Sequence, residues 1–258
     1  MIKFFRQIRQ ELLSENKIWK YLKYALGEIV LVVIGILIAL QINNWNDNRK
    51  ELMRSKEYLE EIVKDLKLDT TNYNFSIAKL SSDIAIEEWA LSQSTYSINQ
   101  MDSVWKSFGG FYWENPMNDR TFQKIQNSGN STLLGFEPLS DELTFYYTEM
   151  RNLLDSYTTW DKREVTQRQE YMRDLEHVIE ISNYQLAILG KGLVKKNFET
   201  RQDSLQIKSL SIDFINSTRG RNHLKNNYTR HLRLKNVFER LNQNALSLIA
   251  KIEVELAD

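Results

Sequence analysis

From Tyr24 to Asn43 the chain reads YALGEIVLVVIGILIALQIN, twenty residues with an unbroken apolar stretch from Ile29 to Leu40. At about 1.5 Å per residue a helix of that length covers about 30 Å, the thickness of bilayer hydrocarbon. Something apolar must solvate it, either lipid or a protein core. The flanks favour lipid. Residues 1–23 hold Lys3, Arg6, Arg9, Lys17, Lys20 and Lys23 against Glu11 and Glu15, a net +4, while the chain beyond Glu28 sums to −3. A basic leader before an apolar run predicts a membrane span at 24–43 with residues 1–23 in the cytoplasm. Beyond the run, NNWNDN places Trp45 at the far interface, and Arg49 and Lys50 are a weaker counter-signal. A cleaved signal peptide fits less well, because the leader is long and no A-x-A pattern follows. Length alone leaves a buried helix of a soluble protein open.

Glu28 stands one turn inside the leading edge of this span. At about 100° per residue Glu28, Val32, Gly35 and Ala39 share one stripe. Gly35 and Ala39 form a small-x-x-x-small pair that lets a second helix approach closely in lipid. Two readings stay open for the carboxylate: it reaches the cytoplasmic headgroups beside Lys23 or Lys20, or it faces a partner helix. The leader itself, with Ile2, Phe5, Ile8 and Leu12 on one side, fits an interfacial helix on an anionic leaflet.

After Asn48 the apolar pattern becomes helical. Leu52, Leu59, Leu66, Tyr73 and Leu80 recur at sevens, with Val63, Ile77, Ile84 and Leu91 between them and Glu60, Glu61, Lys64, Asp65 and Lys67 around them. A free coiled coil reads this way, and so does one helix of an antiparallel bundle; the aromatic fillings favour the bundle. Glycines and prolines then cluster between residues 108 and 139. That region predicts a short helix over 119–127 stopped by Gly129, and a long helix capped by Ser140. Leu143, Tyr146, Tyr147, Met150, Leu153, Leu154 and Tyr157 line its inner face, and the pattern extends toward Leu189. A loop with at most a short turn of helix is expected over 190–211. Leu224, Tyr228, His231, Phe238, Leu241, Ala245, Ile249, Ile252 and Leu256 mark a last long helix. The fold class is all-α: one N-terminal transmembrane helix, then an extracytoplasmic antiparallel bundle over 44–258 with three long helices.

The stretch GEIVLVVIGILIALQINNWN after a basic leader with LLSENK resembles the start of an uncharacterised family of short bacterial single-pass membrane proteins of Bacteroidota type, known as a domain of unknown function. TFQKIQNSGNSTLL is similar to that family's Thr-aromatic…Ser-Gly-Asn segment, and LSDELTFYY to the helix that follows it. The resemblance runs over nearly the whole chain, with GGFYWENPM departing from it. It implies an inner-membrane location and a helical exterior, and brings no activity or catalytic residues.

The chain has no cysteine, so disulfides and thiolate metal sites are excluded. A di-metal carboxylate bundle needs repeated Glu-x-x-His pairs; only DLEH at Asp174–His177, with Glu170 a turn earlier, approaches one. His223, His231 and Glu239 are spaced by eight, which advances a helix by about 80° per step and fans them around it. Glu60/Glu61 and Glu87/Glu88 read as solvated surface pairs. No phosphate loop, nucleophile elbow or HExxH motif is present, and no basic face points to nucleic acid. Neither cofactor nor metal is expected. Phe108, Phe111, Tyr112 and Trp113, beside two glycines and Pro116, either cap the end of the bundle or form an aromatic loop that docks a partner.

These features predict a non-enzymatic inner-membrane protein, N-terminus cytoplasmic, with a periplasmic interaction or scaffold bundle. Its expected partners are the bilayer and a second copy or another membrane protein. The alternative is a periplasmic ligand-sensing bundle that signals through a membrane partner.

Overall fold

A computed structural model describes residues 18–108, 112, 114, 116–128, 133–180 and 199–257. Every regular element among them is helical. Helix α1 runs Ile18–Ser92, 75 residues in one piece. Its sequence permits this: no proline occurs in it and no glycine follows Gly35, so nothing interrupts the hydrogen-bond ladder. A 3₁₀ turn at Ile98–Gln100 leads into α2 (Met101–Ser107). Then come α3 (Arg120–Asn127) and α4 (Glu137–Phe145). A π-helical turn at Tyr146–Met150 carries α4 into α5 (Arg151–Glu176). Helices α6 (Ser204–Asn216) and α7 (Thr218–Ala257, 40 residues) complete the set.

Two compact units divide the chain: Met1–Glu57 with Leu133–Gly135, and Tyr58–Thr132 with Phe136–Asp258. In the first, an 18-residue window of α1 has a mean hydropathy of 2.6, and none of it is buried. Each large side chain from Ile29 to Leu40 is about half exposed or more. Around Gly35 nothing lies within 4 Å of where a Cβ would stand. Farther along, the turn at Gly135 packs on α1. Its φ of +83° is left-handed, and a Cβ there would meet the Leu52 methyl at 2.8 Å, so both backbone and space select glycine.

In the second unit three long helices pack around one core. Side-chain pairs fix their directions. Lys67–Glu253, Asn74–Asn242 and Glu88–Tyr228 set α1 antiparallel to α7. Glu142–Lys251, Asp161–Arg230 and Asp174–Arg219 do the same for α4–α5 against α7. Helices α1 and α4–α5 therefore run parallel, joined by the crossover that carries α2 and α3. The heptad stripe is the core face: Leu59, Leu66, Tyr73 and Leu80 are fully buried, as are Leu234, Phe238, Leu241, Ala245 and Ile252 of α7 or nearly so. Leu52, in the first unit, is 37% exposed.

Three local readings need correction. Helix α4 starts at Glu137, not at a Ser140 cap, because Pro138 sits in its first turn, where a missing N–H costs nothing. Residues 204–216 form a 13-residue helix instead of a loop; Asp203 caps it by accepting from the Leu205 amide at 3.2 Å. The α5 pattern ends at Glu176, and its expected extension over 181–189 lies outside the described residues, as do Gly129 and the leader helix.

Candidate functional site

Two sets of buried polar side chains occupy the core of the second unit, and both begin on α1. Asp65 and Asp69 are one turn apart beside the stripe, 6% and 0% exposed. Asp69 Oδ1 accepts from the Asn118 amide N–H at 2.9 Å and from Asn118 Nδ2 at 2.6 Å. Its Oδ2 accepts from the Tyr146 hydroxyl at 3.2 Å, which leaves Tyr73 to donate to Tyr146 at 3.4 Å. Asp65 Oδ2 accepts from Thr121 N at 3.1 Å and Thr121 Oγ1 at 2.5 Å. Thr121 stands in the first turn of α3, so an α1 carboxylate satisfies an amide that α3 cannot. Together these bonds fasten the crossover to α1.

Burial pushes the Asp69 carboxyl up to about 6, against the lowering effect of Asn118 and Tyr146. It likewise raises the Tyr73, Tyr146 and Tyr147 hydroxyls. The π turn lets the adjacent Tyr146 and Tyr147 both bury, their rings edge to face at 5.0 Å. Tyr147 stacks on Phe122 at 4.6 Å, and its hydroxyl is buried without a hydrogen-bond partner among the described residues.

The second set joins all three long helices. Arg230 of α7 is 1% exposed and pairs through Nη1 with Asp161 of α5, itself fully buried. Its Nη2 lies 2.8 Å from Nε2 of His231. His231 Nδ1 in turn lies 2.9 Å from Oε1 of Glu87 on α1. Arginine can only donate, so Nε2 accepts and the ring carries its proton on Nδ1, which donates to Glu87. Burial raises Glu87 to about 8 and lowers His231 to about 4, with Arg230 adding to the second shift. The cluster is then neutral at pH 7: Arg230 balances Asp161, and Glu87 and His231 are uncharged. Chemically it holds a proton in a closed core.

Asp65 and Glu87 were expected among solvated charges. Both are core residues, because each meets a specific donor set supplied from far along the chain. Glu88 is the solvated member of its pair, accepting from Tyr228 at 2.8 Å, and Glu61 pairs with Lys124. His223 and His231 are both buried, each with its own partners. His223 bonds Asn227 at 3.1 Å and stacks on Phe108 at 4.7 Å, while Glu239 pairs with Lys235. Asp174 pairs with Arg219. Among the described residues no three His, Asp or Glu side chains gather as metal ligands.

Of the aromatic cluster, Phe108 is 3% exposed and packs with Met101, Val104, Ile215 and Leu224. It belongs to the core and does not reach a docking surface. Tyr112 is 39% exposed with Lys162 Nζ 5.0 Å over its ring. Phe111 and Trp113 lie outside the described residues. On the apolar helix, Val32 is 55% exposed, Gly35 and Ala39 are exposed, and Glu28 is half-buried.

Residues 28–132 match a family of unknown function, DUF6090. No curated protein and no solved structure matches the chain. The match is narrower than the near-complete resemblance expected from the motifs. It takes in the apolar stretch and both sides of the Asp65–Thr121 and Asp69–Asn118 bonds, and it stops short of Tyr146, Arg230 and His231.

Missed by sequence reasoning were Asp65, Asp69, Glu87, Asp161, Arg230 and Arg221. The last donates to the carbonyls of Ala90 and Leu91 at 3.2 and 2.9 Å and so caps the C-terminal end of α1. Asp65 and Asp69 carried one signal, an i, i+4 pair of short carboxylates bordering an apolar stripe.

Proposed function

We propose that the chain is a non-enzymatic single-pass protein of a bacterial inner membrane. Its helix over 24–43 anchors a helical interaction or scaffold domain on the periplasmic side, and the basic leader stays in the cytoplasm. One observation carries the reading: twelve consecutive apolar residues, Ile29–Leu40, are exposed in the chain. Each Leu, Ile or Val left in water forgoes about 1.5–3 kcal/mol, so an apolar solvent is required. Trp19 and Trp45, 81% and 62% exposed, flank the run where interfacial tryptophans belong. The Glu28, Val32, Gly35 and Ala39 face fits a second copy or another membrane helix. Carbonate extraction paired with alkaline phosphatase and green fluorescent protein fusions at the C-terminus tests this. A chain found in the carbonate supernatant, or a phosphatase inactive where the fluorescent fusion glows, refutes it.

A second reading, a sensing bundle that signals through a membrane partner, is favoured by the enclosed Glu87–His231–Arg230–Asp161 cluster. Such a group titrates by changing helix contacts, and one of those helices, α1, also contains the apolar stretch.

A further inference from the structure

We propose that Nε2 of His231 is a proton-binding site that competes with Arg230, so that acid releases the Arg230–Asp161 contact joining α5 and α7. The inference deepens the sensing reading by naming its ligand, and rests on that reading only for where the signal goes.

Nε2 has one lone pair, and Arg230 Nη2 occupies it at 2.8 Å. The other ring nitrogen is committed to Glu87, its hydrogen facing Oε1 at 2.9 Å and Oε2 at 3.1 Å. A proton arriving at Nε2 finds no free acceptor there. It converts a donor–acceptor pair into two opposed donors and places imidazolium beside guanidinium in a core where neither is solvated. The proton and the arginine bond are mutually exclusive.

The surroundings do not dissolve this conflict. From α1 the ring faces Lys79, Asp83 and Glu87; from α5, Asp161; from α7, Arg230. Asp83 is already paired with Lys79 at 2.7 Å and Asp161 with Arg230. Glu87 touches Nδ1, not Nε2. Relief requires Arg230 to swing away, and Arg230 is also what ties α7 to Asp161. Protonation therefore loosens the α5–α7 contact, while Nδ1 keeps its bond to Glu87. Arg230 Nε, buried without a hydrogen-bond partner among the described residues, offers this side chain no further hold.

Two measurements on the full chain in detergent test the proposal. In ¹⁵N–¹H correlation spectra of histidine-labelled protein, His231 should be the Nδ1–H tautomer at pH 7 and protonate near pH 4. An Nε2–H tautomer, or a ring already cationic at pH 7, overturns the assignment. Hydrogen exchange followed by mass spectrometry should show peptides around 157–165 and 225–234 losing protection at least tenfold between pH 6 and 4, after correction for intrinsic exchange. In His231→Gln, whose amide can accept from Arg230 and donate to Glu87 without titrating, that loss should vanish. Loss persisting unchanged in the variant overturns the latch. Should His231→Gln misfold, His231→Asn replaces it, and the tautomer result stands independently. None of these readouts depends on a membrane partner, so their failure is distinct from failure of the sensing reading.

Discussion

Stability should decline between pH 6.5 and 8, and replacing Glu87 with glutamine should flatten that decline. Folded Glu87 holds its proton to about pH 8, against 4.5 unfolded. Its contribution is therefore complete below pH 4.5 and is lost as pH rises through 8. His231 runs the other way, from 6.5 unfolded down to about 4 folded; its contribution is complete above pH 6.5 and lost on acidification. Asp69, raised from 3.8 to about 6, contributes most below 3.8 and loses that as pH climbs through 6. Above pH 6.5 the last two have largely finished titrating and Glu87 dominates. The slope approaches ~1.4 kcal/mol per pH unit, or about 2 kcal/mol over the window. For a domain of this size that is about 4–8 °C in Tm. Circular dichroism melts of wild type and Glu87→Gln in one detergent, at pH 6.5, 7.25 and 8.0, read the difference directly. A difference curve that stays level, or a wild type that gains stability toward pH 8, refutes a protonated buried Glu87.

Tyr147→Phe should leave stability unchanged or raise it by about 1 kcal/mol, since its buried hydroxyl lacks a hydrogen-bond partner among the described residues; urea titration showing a loss above 1 kcal/mol contradicts this. Thr121→Val strips Asp65 of its closest donor and should cost about 1.5–3 kcal/mol, seen as a lower urea midpoint at constant m. Gly220→Ala puts a Cβ 2.4 Å from the Ile215 carbonyl oxygen and should cost at least ~1–3 kcal/mol; a melt within 1 °C of wild type would mean that the α6–α7 corner yields. Arg221→Met should destabilise by about 1.5–3 kcal/mol, with exchange protection lost first at the amides of residues 88–93.

The periodic part of the architecture was readable. Leu59, Leu66, Tyr73 and Leu80 fix an inner face because a stripe at sevens has one side on which to bury, and the same holds from Leu224 to Ile252. The apolar run announced itself by length. What stayed hidden was long-range: Asp65 and Glu87 look like any surface acid until Thr121 and His231, 56 and 144 residues away, are placed against them. Helix α6 was hidden in a stretch read as a loop over 190–211, although Asp203 before an apolar periodic stretch was a usable start signal. The proline in α4 was read as punctuation, whereas in a first turn it is compatible with helix. For Phe108 the sequence left open capping the bundle end and docking a partner, and only the position of His223 shows that it is covered.

The antiparallel pairing of α1 with α7 also sets a timetable. On the ribosome the inner face of α1 emerges long before the helix that closes over it. Contacts such as Lys67–Glu253, 186 residues apart, arise only when synthesis is nearly done. Until then Leu59, Leu66, Tyr73 and Leu80 stay open on a chain whose earlier apolar stretch seeks an apolar medium of its own. Delayed closure exposes such surface to aggregation. Nascent chains arrested before residue 218 should accordingly be chaperone clients and protease-sensitive, with resistance appearing in one step once α7 is out.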